Sequence, residues 1–160
     1  MIEAAPPQAS VAQETLLDVR DLAVEFPHAG GPVRPVRGTS FTLAPRQRLG
    51  LVGESGSGKS LTALSLMRLL PPPGRIAGGQ VLLRGVDLAQ LSERQMASVR
   101  GGRLALIGQD PMSSLNPVKS VGDQIVEAIR VHESVPQRVA RERTVELLGQ
   151  VGLPNPARRF

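Results

Sequence analysis

The sequence predicts an α/β fold, and three observations carry that expectation. Residues Gly53-Glu54-Ser55-Gly56-Ser57-Gly58-Lys59-Ser60 spell G-x-x-x-x-G-K-S, a loop suited to wrapping a polyphosphate. Residues 48–52, Arg-Leu-Gly-Leu-Val, read as a short buried strand entering that loop. Residues 61–70 read as a helix leaving it, stopped by Pro71-Pro72-Pro73-Gly74.

Each loop position answers a physical need. A polyphosphate is held by backbone N–H donors converging from one side, which requires a tight curl free of crowding Cβ atoms. Lys59, one of two lysines in the chain, brings a point charge to the terminal phosphates. The Ser60 hydroxyl suits a hard Mg²⁺ ion. The phosphates would then sit at a helix N-terminus, where free N–H groups and the helix dipole favour an anion.

The remaining elements follow in order. Residues 1–14, rich in Ala, Pro and Gln, read as a flexible tail. Residues 16–20 and 22–26 look like strand, with near-alternation after Asp21, and 28–32 form a turn. Residues 39–43 alternate again. After the Pro-Gly break, 78–85 read as strand plus turn. Ser92 opens a short helix with Gln95 three residues on, a capping-box pattern, and Gly101-Gly102 ends it. Residues 103–107 are a candidate buried strand. Ser120 caps an amphipathic helix with Val121, Ile125, Ala128 and Ile129 on one face. A second helix is expected from about 136 to 151, ended by Gly152-Leu153-Pro154. The division expected is a tail at 1–14, an α/β core at 15–110, and a helical stretch at 111–160. No internal repeat is visible.

Composition excludes several classes. The 160 residues include no cysteine, so there is no disulfide framework and no thiolate metal site. The net charge of +5 comes almost wholly from arginines scattered along the chain. With three Phe and no Tyr or Trp there is no aromatic platform for nucleic acid, so a solvated basic surface is expected. No apolar run approaches a membrane span, and the N-terminus is not built like a secretory signal.

The run Ile107-Gly108-Gln109-Asp110-Pro111-Met112-Ser113-Ser114-Leu115-Asn116-Pro117, followed by Val121-Gly122-Asp123-Gln124-Ile125, closely resembles the Q-loop region of ABC-transporter ATPases. Within that superfamily, the Met-Ser-Ser-Leu-Asn-Pro stretch and the Gly-Glu-Ser-Gly-Ser-Gly-Lys-Ser loop look like the oligopeptide/dipeptide (and nickel) importer branch. The likeness covers nearly everything from Leu16 to Phe160. It implies a P-loop NTPase fold of ABC type: an incomplete core sheet, a β subdomain, and the start of a helical subdomain. It further implies that Gly53, Glu54, Ser55, Gly56, Ser57, Gly58, Lys59 and Ser60 wrap the phosphates of ATP. Ser60 would ligate Mg²⁺, and Gln109 would approach Mg²⁺ and the attacking water. Phe26 falls where the family places an aromatic that stacks on adenine. The implied partners are transmembrane permease subunits and a second ATPase subunit. The implied place is the cytoplasmic face of a membrane, touched only through those partners.

The chain departs from the family pattern in places. Gly108 stands where the branch commonly has an aromatic, and Pro45-Arg46-Gln47 replaces the usual glycine-glutamate turn. The family's Ser-Gly-Gly signature, its Walker B strand ending in Asp-Glu, and its switch histidine have no match. Gly78-Gly79 and Gly101-Gly102 are not preceded by Ser, and His28 and His132 fall in a turn and a helix. Phosphoryl transfer needs a positioned metal and a positioned nucleophile. Two further readings therefore stand beside a transport ATPase: a nucleotide-binding fragment or regulator without turnover, and a different P-loop enzyme such as a small-molecule kinase.

Overall fold

The computed structural model describes residues 15–110, 114–158 and 160. The tail expected over 1–14 and the Pro111-Met112-Ser113 part of the Q-loop run lie outside the described residues. The chain divides into two compact units, Met1–Met96 and Ala97–Phe160.

The first unit is built on an antiparallel sheet of four strands in the order β2-β1-β3-β4. They are β1 (Leu17–Phe26), β2 (Val33–Leu43), β3 (Arg75–Leu83) and β4 (Val86–Asp87). Strand β1 is central because its alternating residues find a partner on both sides. Leu17, Val19, Leu22 and Val24 are buried, and Val24 faces Val36 of β2 and Ile76 of β3. The two halves of that alternation differ in phase. A bulge at Asp21 (φ 47°) resets it, and the Ser40 hydroxyl accepts the Asp21 N–H at 2.8 Å where the ladder is interrupted.

Strand β2 begins at Val33, earlier than the alternation at 39–43 suggests. Pro35 and Gly38 hide it in the sequence. Proline is admitted because β2 is an edge strand, where a missing N–H donor is tolerated. The helix α1 (Lys59–Leu66) packs against β1, β2 and β3. It is shorter than the expected 61–70. The helix α2 (Glu93–Val99) follows the capping box: Ser92 N–H donates to Gln95 Oε1 at 2.8 Å, and Gln95 N–H donates to Ser92 Oγ at 3.3 Å.

Two sequence expectations fail. Residues 48–52 and 103–107 are not strands. Val52 and Ile107 are 95% and 96% exposed, and the second segment makes one isolated bridge, Arg100 to Leu104. A strand exists through its neighbour's hydrogen bonds, and no described residue supplies a ladder beside either segment.

In the second unit, α3 (Val121–His132) and α4 (Gln137–Gln150) pack together. Ser120 caps α3 by accepting the Asp123 N–H at 3.0 Å. The buried positions of α3 are Gly122 and Val126, which replaces the expected face: Val121 is exposed. Ile125, Ala128 and Ile129 instead line an apolar cleft of about 550 Å³ with Leu115 and Leu147. On α4, Ala140, Thr144 and Leu148 are buried, and Thr144 Oγ1 donates to Ala140 O at 2.8 Å. The Phe160 ring lies under the Arg141 guanidinium at 4.2 Å and against Gly122.

Candidate functional site: a phosphate-binding loop at the start of α1

Helix α1 starts on Gly58, whose φ of 90° is the left-handed conformation that glycine adopts without strain. The first helical bond runs from Thr62 N–H to Gly58 O at 2.8 Å, reinforced by Thr62 Oγ1 at 2.9 Å. The N–H groups of Gly58, Lys59, Ser60 and Leu61 therefore have no helical acceptor, and no side chain caps them. An anion is the partner such a helix start favours.

Lys59 is held in the middle of this arrangement. Its ammonium donates to Gly53 O and Glu54 O, both at 2.7 Å, and approaches Ser57 Oγ at 3.3 Å. Within the loop, Ser57 N–H closes a turn onto Glu54 O at 3.2 Å. Positive charge and free donors thus converge on one mouth. The loop residues Gly53 to Ser57 are exposed, and so is Ser60, with its hydroxyl unbonded among the described residues. That donor set fits a phosphate chain, and the free Ser60 hydroxyl fits a hard cation beside it.

The loop rests on β2. A Cβ on Gly58 would come within 2.6 Å of Pro35 O and 3.2 Å of Val36 Cγ2. Val36 pairs with Val24, and alternation along β1 puts Phe26 on the same face as Val24, opposite Val33. The sheet therefore brings Phe26 and the phosphate loop to the same end of the β1–β2 hairpin. Phe26 is half-buried, with one edge of its ring closely packed on the Gly74 backbone.

Gln109 belongs to the second unit, exposed in the segment that follows Ile107. The histidines serve locally. His28 Nδ1 accepts the Gly30 N–H at 3.2 Å, and the His132 ring sits against Gly101. No group of three or more His, Cys, Asp or Glu side chains poised for a metal occurs among the described residues.

One feature escaped the sequence reading. Glu25 is buried, only 6% exposed, beside Phe26. Its Oε1 accepts Arg75 Nη2 at 2.6 Å and Arg75 Nε at 3.0 Å, and its Oε2 accepts Arg34 Nε at 3.2 Å. The hydrogen bonds from Arg75, then those from Arg34, hold its carboxyl below the usual carboxylate range. The residue types hint at a clamp. The strand register that unites them, Glu25 opposite Arg75 across fifty residues of sequence, has no local signature. A separate cleft of about 430 Å³ between β3 and Arg68 includes none of the loop residues.

A glycine-cornered loop with an internally anchored lysine, opening on a helix N-terminus, defines a P-loop nucleotide-binding protein. Residues 36–160 match the ABC transporter family model, and the chain belongs to that family. It is 48% identical over 145 residues to the oligopeptide transport ATP-binding protein OppD of Bacillus subtilis, covering 90% of this chain and 40% of that protein. It is 43% identical to the dipeptide transport ATP-binding protein DppD of Escherichia coli, covering 91% of this chain and 44% of that protein. The chain thus spans less than half the length of these relatives. The fold superposes with a TM-score of 0.72 on the ATP-binding cassette MJ0796, solved as a post-hydrolysis dimer bound to ADP and Pi. That match is 14% identical and covers 87% of this chain and 58% of that one. No helix among the described residues is long and apolar enough to cross a membrane.

Proposed function

We propose that this chain is the ATP-binding portion of an ABC transporter ATPase that energises uptake of peptides or a related solute. The observation that carries the reading is the anchored Lys59 beside four N–H groups at the start of α1 that have no acceptor among the described residues. Residues Gly53 to Ser60 wrap the phosphates of ATP, with Lys59 on the terminal ones. Phe26 offers its ring to the adenine, at the same end of the hairpin. Ser60 would ligate Mg²⁺, which when bound neutralises charge on the phosphates, and by resemblance Gln109 would approach that ion and the attacking water. The role of Gln109 is supported by its place in the Q-loop run. The solute class is supported by the peptide transport proteins the chain resembles at more than 40% identity.

By the same resemblance, the partners are transmembrane permease subunits and a second ATPase subunit. The chain works at the cytoplasmic face of the membrane and touches the bilayer only through those partners.

Calorimetric titration with Mg-ATP tests the reading. Binding is expected in the wild type, with most of the affinity lost in Lys59→Ala. Equal binding by the two proteins would overturn it.

A further inference from the structure

Two neighbouring dipeptides meet twice at the end of the sheet where the phosphate loop sits. Glu25 and Arg75 are register partners across β1 and β3, so Phe26 falls beside Gly74. On one face of the sheet, the Phe26 ring packs so tightly on Gly74 that an added Cβ would stand 2.6 Å from ring atoms Cε1 and Cζ. On the other face, the Glu25 carboxylate takes two hydrogen bonds from Arg75 and one from Arg34 of β2. Backbone alternation makes these opposite faces. The carboxylate therefore ties β2, β1 and β3 together directly behind the ring.

We propose that Glu25 is a positioning residue for the nucleotide base: gripping Arg75 and Arg34 behind the sheet, it fixes the Phe26 ring as the wall on which a purine stacks. The proposal rests on the nucleotide-binding reading above and deepens it. Both arginine side chains are more than half exposed, so the clamp adds little as a surface ion pair. Its effect is geometric. Stacking depends on the ring's offset and tilt, and a ring on the last residue of a strand is free to splay unless its neighbours are fixed. Gly74 supports the ring only while β3 stays in register with β1, and the Glu25–Arg75 contact holds that register at the last pair. Glu25 touches no nucleotide atom; it acts through Phe26.

The test separates base from phosphate. Mg-ATP and inorganic tripolyphosphate, which has no base, are titrated by calorimetry into the wild type, Glu25→Gln, Phe26→Ala and the double variant. Glu25→Gln is expected to weaken ATP binding by about three- to tenfold, a fraction of the stacking contribution, while leaving tripolyphosphate affinity unchanged. Unchanged tripolyphosphate binding also reports that the variant is folded. In the Phe26→Ala background, Glu25→Gln is expected to add no further loss, because its route to the base is gone. With Phe26, Phe41 and Phe160 as the only aromatic residues besides two histidines, the Phe26 ring protons can be followed by NMR. They are expected to shift on ATP addition in the wild type and less so in Glu25→Gln.

Should Glu25→Gln not fold, Arg34→Gln is the second variant. It keeps the Arg75 half of the clamp and is expected to give a smaller loss confined to ATP. Equal losses for both ligands, or additive losses in the double variant, would assign the clamp a purely structural role and overturn the proposal. A wild type that binds neither ligand, or binds them as well as Lys59→Ala does, refutes the phosphate loop itself and takes the proposal with it.

Discussion

Replacing Gly58 with alanine isolates how the phosphate loop is held. Two costs arise. An alanine at φ 90° occupies the left-handed region, which costs about 1–2 kcal/mol for an L-residue. Its Cβ would also stand 2.6 Å from Pro35 O and 3.2 Å from Val36 Cγ2. The closer neighbour is backbone, so β2 or the helix start must move, adding about 1–3 kcal/mol. Gly56→Ala supplies the control. Its φ is 81°, yet nothing lies within 4 Å of the added Cβ, so only the conformational cost applies. For a chain of this size, where 1 kcal/mol shifts Tm by about 2–4 °C, Gly56→Ala should lower Tm by about 2–8 °C and Gly58→Ala by about 4–20 °C. Both melts are followed by circular dichroism in the same buffer, and the gap between the variants reports the contact with β2. Equal melts for the two variants, or a milder effect at Gly58, would show that the loop does not rest on Pro35.

Other expectations follow from the same geometry. Glu25 has its folded pKa lowered, so its stabilisation is present at neutral pH and is lost as pH falls through that lowered value. The urea midpoint, measured downward from about pH 6 to 3, should therefore drop more steeply in the wild type than in Glu25→Gln. Gly122→Ala should destabilise the second unit despite alanine's better helix propensity, because its Cβ would meet the Phe160 ring at 2.6 Å. In a Phe160→Ala background the same change should stabilise by about 0.5–1 kcal/mol, and a loss there would refute the contact. Val52→Ser and Ile107→Ser, at positions 95% and 96% exposed, should each change the unfolding free energy by no more than about 0.5 kcal/mol, measured by urea denaturation. Strong destabilisation would mean these side chains are buried in solution.

The loop at the start of α1 was legible because it is local. Eight consecutive residues specify the loop, and Pro71-Pro72-Pro73-Gly74 marks the region where α1 must end. The caps at Ser92 and Ser120 were readable for the same reason: each is closed by a partner three residues away. The strands were harder. Strand β2 carries a proline and a glycine that an alternation rule rejects, and its edge position, which admits them, is a property of the whole sheet. Residues 48–52 and 103–107 have the composition of buried strands and lack a ladder among the described residues, since apolar pattern states a preference and pairing requires a neighbour.

The same distinction explains why Glu25 was overlooked while Phe26 was not. Phe26 stands out as one of three aromatics, and any scheme that looks for a base-stacking ring must consider it. Glu25 looks like an ordinary polar residue on a half-solvated strand. It becomes a clamp only once β3 aligns Arg75 with it and β2 brings Arg34 alongside. The phosphate loop is thus written in contiguous residues, whereas the proposed base-stacking wall depends on three strands that must find register first. Substitutions in the sheet should consequently act on base affinity before phosphate affinity, because the loop keeps its own internal bonds from Lys59 to Gly53 and Glu54 when the hairpin end loosens.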